Sequence, residues 1–118
     1  DGSVARALEL LDSDALALRQ TVVDLLARLP STDPRALHAL GDALGGSEPK
    51  TLAVFLDLVN QWLAERLTQD KADSGKAART ADAFATINQA AREADAYNLE
   101  RKPLVFKVFG LLAETARG

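Results

Sequence analysis

The chain contains no cysteine and no methionine. The first absence excludes disulfides, thiolate zinc sites and cysteine nucleophiles, and it leaves the redox compartment open. The second means that the sequence does not begin at a start codon, so it reads as a piece of a longer protein or a processed one. No apolar run approaches the ~20 residues of a membrane-spanning helix, and no signal peptide is visible. Aromatic residues are only 5% of the chain, and β-branched residues are few and rarely clustered. Alanine and leucine abound instead, a composition that favours helix throughout. With a net charge of -3, the chain also lacks the basic excess of a standalone nucleic-acid binder, and no direct contact with nucleic acid is expected.

What is present fits one all-α domain, since 118 residues can bury a real core. The pattern predicts a compact bundle of five to six helices. A short first helix opens at Gly2-Ser3, with Ser3 as its cap, and runs to about Leu11. The second lies near Asp14 to Leu29, where Leu18, Val22, Leu25, Leu26 and Leu29 recur at helical spacing, and Pro30 ends it. Asp33 and Pro34 start the third, with Leu37, Leu40 and Leu44 inward and Gly45-Gly46 as its stop. Ser47 caps the fourth, lined by Leu52, Phe55, Leu56, Val59, Leu63 and Leu67, with Trp62 at the edge of the stripe. The polar stretch from Gln69 to Lys76 reads as the most mobile connection. The fifth helix, from about Lys76 to Ala96, presents a small inner face of Ala77, Ala81, Phe84, Ile87, Ala91 and Ala94. Asn98 is a cap for the last helix. Pro103 would cost that helix a hydrogen bond if it began at Leu99, so its regular part is expected to start near Lys102 or to kink. There is no fixed-period repeat.

Chemistry is hard to place on this framework. His38 is the only histidine, beside a leucine stripe, and a metal there would need carboxylates alone; a solvated or core-edge histidine is the simpler reading. Asp12 and Asp14 read as helix caps, and Asp70 and Asp73 as solvated loop charges. Paired carboxylates would need a cleft that splits their pKa values, and the sequence shows none. Gly45-Gly46-Ser47 lacks the lysine and the glycine spacing of a phosphate loop. No catalytic, cofactor or metal residues are therefore assigned. The last helix stands out. Leu104, Val105, Val108, Leu111 and Leu112 form a wide stripe that Phe106 and Phe109 broaden, and a helix apolar nearly all round is central to its bundle or packed on another chain. Arg101 and Lys102, preceded by Glu100, form a small basic step. They are ordinary surface charges, or they pair with acids on a partner. Candidate partner-facing residues are Arg101, Lys102, Val105, Phe106, Phe109 and Leu112.

Two segments carry a resemblance. GSVARALEL, Gly2 to Leu10, matches at Gly2, Ser3, Ala7 and Leu8 the stretch that closes the lid domain in clamp-loader members of the AAA+ family. YNLERKPLVFKVFGLLAET, Tyr97 to Thr115, is similar to the final collar helix of delta-prime subunits of the bacterial DNA polymerase III clamp loader, and the order of helices between is similar as well. The resemblance implies that residues 1–11 are the end of the lid helix or its junction and that residues 12–118 are the helical collar domain. It also implies that the chain assembles with the collars of delta and gamma/tau in a closed ring beneath the ATPase modules, in the cytoplasmic replisome, without catalysis of its own. The family's sensor arginine falls at Ala5. An arginine stands one residue on at Arg6, turned by ~100° about the helix, as fits a subunit type that does not hydrolyse ATP. A collar cut from its ring is expected to self-associate through exposed apolar surface. Another reading of the residues is a freestanding helical adaptor that holds a peptide in a groove beside the small face of the fifth helix. A helical enzyme with an acidic pocket is a third.

Overall fold

The computed structural model describes residues 2–46 and 49–117, with side chains described from residue 15 onward. It contains five helices: α1 (Gly2–Arg28), α2 (Pro34–Gly45), α3 (Pro49–Gln69), α4 (Ser74–Ala96) and α5 (Arg101–Arg117). No strand occurs among the described residues. The two helices expected before Pro30 are one. α1 runs unbroken from Gly2 to Arg28, and a separate two-turn helix would have been too short to hold itself. The expected caps Ser3, Asp12, Asp14 and Ser47 lie outside the described side chains, as do Ala5 and Arg6.

Local chemistry accounts for the other boundaries. α1 gives way to a turn in which the Leu29–Pro30 peptide bond is cis. Asp33 caps α2 by accepting from the Arg35 backbone N–H at 3.0 Å, with Pro34 in the first helical position. Gly46 closes α2, its N–H donating to the Asp42 carbonyl at 3.3 Å. The polar stretch after α3 is shorter than expected. Asp73 is an N-cap, accepting from the Lys76 N–H at 3.1 Å, so α4 starts at Ser74 and the link shrinks to residues 70–73. Asn98 ends α4 instead of starting α5. It takes the left-handed conformation, φ 53°, that asparagine tolerates. The Leu99 N–H returns to the Ala94 carbonyl at 2.9 Å and the Asn98 N–H to the Asp95 carbonyl at 3.4 Å, the paired bonds of a Schellman stop. Pro103 is no obstacle. α5 starts at Arg101, which puts Pro103 third, among the N–H positions that have no partner inside a helix.

The helices close a cycle: α1 lies on α3, α3 on α4, α4 on α5, α5 on α2, and α2 back on α1. Across the middle, Phe55 of α3 meets Phe109 of α5 with ring centroids 6.2 Å apart, a tilted contact within the usual aromatic range. Val22, Leu44, Val59, Leu63, Ile87, Val105, Val108 and Leu112 are fully enclosed with that pair. The predicted stripes of α2 and of α1 after residue 17 match this core. In α3, Leu58 is buried, whereas Leu56 and Leu67 are half-buried. α4 is rotated from its expected face. Thr80 and Ala83 turn inward with Ile87, Ala91 and Ala94, while Ala81 and Phe84 are exposed. Thr80 can enter the core because its hydroxyl donates to the Lys76 carbonyl at 3.1 Å, which leaves no unmet polar atom.

Candidate partner interface

The sequence points to α5 as the element that carries function, so its surroundings are built first. At its N-terminus it lies against α2 more closely than ordinary side chains allow. Gly41 of α2 is buried, and a Cβ there would stand 2.7 Å from Lys102 Cγ and 3.0 Å from Lys102 Cα. Removing the side chain at residue 41 lets the two backbones approach. That approach puts polar heads in reach of α2. Arg101 Nη1 donates to the Leu44 carbonyl at 2.7 Å, near the end of α2 where carbonyls lack intrahelical partners. Lys102 Nζ sits 2.5 Å from Asp42 Oδ1, and His38 Nδ1 lies 3.5 Å from Asp42 Oδ2. The hydrogen bond from Lys102 holds the Asp42 carboxyl below the ordinary carboxylate range. An open cleft of about 650 Å³ opens beside these groups, walled by Gly41, Asp42, Asn98, Leu99, Glu100 and Lys102 among others.

At the other end, Arg66 of α3 ties down the last turn of α5. Its Nη2 donates to the Ala116 carbonyl at 2.9 Å, and its guanidinium carbon lies 5.6 Å from the centre of the Trp62 ring. Arg66 Nε also lies 3.3 Å from Asp70 Oδ2. That contact is an ion pair by distance only, because the buried Nε–H is not aligned for a hydrogen bond. Between α3 and α4 the side-chain amides of Asn60 and Asn88 exchange hydrogen bonds of 3.1 and 2.9 Å. Asn88 also donates to the Phe84 carbonyl at 2.8 Å.

These placements redraw the expected interface. Val105, Phe109 and Leu112 are enclosed by the chain's own core, so they hold the bundle and do not face a neighbour. Arg101 and Lys102 direct their charged heads to Leu44 and Asp42 of the same chain, so their first partners are internal. Of the six candidates only Phe106, 40% exposed, presents a large apolar group outward. The burial of the others follows from the width of the α5 stripe, which serves α2, α3 and α4 at once. Residues the sequence did not single out include Gly41 and Gly110. Gly110 is exposed on α5 with no atom within 4 Å of a built Cβ, and an isolated glycine in a helical pattern was the available signal. Other large apolar groups reach solvent at Leu16, Val23, Phe84, Tyr97 and Leu99.

His38 is exposed beside Asp42, as a solvated histidine. Among the described residues no three His, Asp or Glu side chains gather where they could hold a metal, and no helix is long and apolar enough to cross a membrane. Compared with protein-family models, curated proteins and solved structures, the chain finds no match.

Proposed function

We propose that this chain is a collar: the C-terminal assembly domain of a delta-prime subunit, a brace that seats its protein beside delta and gamma/tau subunits of the bacterial DNA polymerase III clamp loader. The reading rests on the likeness of Tyr97 to Thr115 to the final collar helix. One observation supports it above the rest. Several of the residues that carry the likeness have a mechanical task in the bundle. Asn98 makes the left-handed turn, Arg101 and Lys102 fasten α5 to α2, and Val105, Val108 and Leu112 fill the core. A segment of this kind specifies a rigid scaffold, and rigid scaffolds are what subunit rings need. In this role no bond is made or broken. The domain contributes position, and motor domains elsewhere in the assembly contribute work.

The test is capture by the sister subunits. Purified delta and gamma/tau should retain the chain on a column. Phe106→Asp should lower retention while leaving the melting temperature within a few degrees of wild type, because Phe106 already touches water. Absence of retention, with the same subunits binding full-length delta-prime, would rule the reading out.

A further inference from the structure

Gly110 lies mid-helix on the outer face of α5, where nothing in the chain's own packing requires a missing side chain. Glycine is the poorest helix former after proline, so its presence there calls for a cause outside the bundle. Helical spacing sets Pro103, Phe106, Gly110 and Arg117 along one outward line. Lys107 and Glu114 flank Gly110 on the side toward α4, three residues before it and four after. Lys107 borders a groove with Gln89 and Glu93 of α4, and Glu114 borders a second groove with Asp82 of the same helix.

The geometry points to a second copy of this chain as the occupant of that face, lying antiparallel with the two Gly110 residues at the crossing. Two-fold symmetry about that point sets each residue before Gly110 opposite one an equal distance after it in the copy. Lys107, three residues before Gly110, then lies within one residue's rise (~1.5 Å along the axis) of Glu114, four residues after it in the copy, and this pair occurs twice. The two Gly110 residues, having no side chains, let the helix backbones approach at the crossing. A parallel arrangement would carry the Lys107 and Glu114 flank of each helix to opposite edges of the pair, where neither charge pair forms, so charge selects the antiparallel sense. The proposal stands apart from the collar reading, since it concerns only copies of this chain. One helix pair covers less than the ~1,200 Å² of a stable interface, so the dimer is weak, with Kd on the order of 0.1 mM.

Sedimentation equilibrium of the 118-residue chain up to about 1 mM, a range set by that weak Kd, tests this. Wild type should dimerise. Lys107→Glu and Glu114→Lys should each weaken self-association by about tenfold, and both keep helical circular dichroism because the positions are exposed. An equal mixture of the two variants should restore dimer at the wild-type level, since both cross-pairs again carry opposite charges. Gly110→Ala should raise the melting temperature and still weaken the dimer. A wild-type chain that stays monomeric over the whole range would overturn the proposal. So would charge variants that associate as wild type does, or a mixture that fails to recover.

Discussion

Single residues here divide sharply by whether they face the core or the solvent, and their substitutions should divide the same way. Phe109 is enclosed against Phe55, and Phe109→Ala should cost about 3–5 kcal/mol in urea unfolding, as cavities of that size do. Phe106→Ala, one turn away and exposed, should change stability by less than about 0.5 kcal/mol. Gly41→Ala is the more searching case. Helix propensity alone would make it stabilising by about 1 kcal/mol. The new Cβ would press on Lys102 backbone and side chain, and overpacking of that kind costs about 1–3 kcal/mol. We expect net destabilisation, read as a lower urea midpoint with an unchanged slope. Asn98→Gly should be neutral or slightly stabilising, while Asn98→Ala should cost about 1 kcal/mol or more for the left-handed backbone.

Elements were legible where periodicity and punctuation agreed. Asp33-Pro34 and the Leu37, Leu40, Leu44 stripe predicted α2 and its buried face, and Pro30 marked the end of the α1 segment. The break expected near Asp12 came from reading acidic residues as caps. Nothing in that stretch forbids helix, and α1 passes through it. The α4 face was misread because alanines lie on several sides of that helix, which blurs the stripe. Thr80 was passed over as polar, yet its hydroxyl is satisfied within its own helix. Asp73 was legible only as loop charge, since the cap depends on where the helix begins. Asp73→Ala should lower stability by about 1 kcal/mol, and the loss should show as fraying of the first turn of α4 in amide exchange. The sequence announced α5 as exceptional but could not divide its width between the chain and a neighbour. That division depends on how many helices surround it, which is a tertiary fact.

At the scale of the whole molecule, polar fasteners hold the cycle of helices near each end of α5. Arg101 and Lys102 bind α2 at one end, and Arg66 joins α3 to the Ala116 carbonyl at the other. The Asp42–Lys102 pair adds a pH dependence whose sign follows from the lowered Asp42 pKa. A carboxyl with a depressed folded-state pKa contributes stability above its unfolded value, near 3.9, and loses it as pH falls through the folded value. The Asp42–Lys102 pair should therefore hold at neutral pH and be lost in acid, while the Arg101–Leu44 bond stays. Asp42→Asn should remove that part of the acid-side loss and leave the neutral-side profile flat, as thermal melts across pH 2–7 would record, a span chosen to bracket the carboxylate range. The pair is exposed, so the effect should be small and should shrink further at high salt.

The fold thus describes a stiff helical body whose usable surface lies outside its aromatic centre, and the account stands or falls on what that body joins. Native mass spectrometry of the chain mixed with purified delta and gamma/tau subunits measures this most directly. The account predicts a single species in which the chain takes the delta-prime place in a five-subunit ring. A spectrum that shows the sister subunits assembled among themselves and the chain alone, at concentrations where full-length delta-prime joins them, would contradict it.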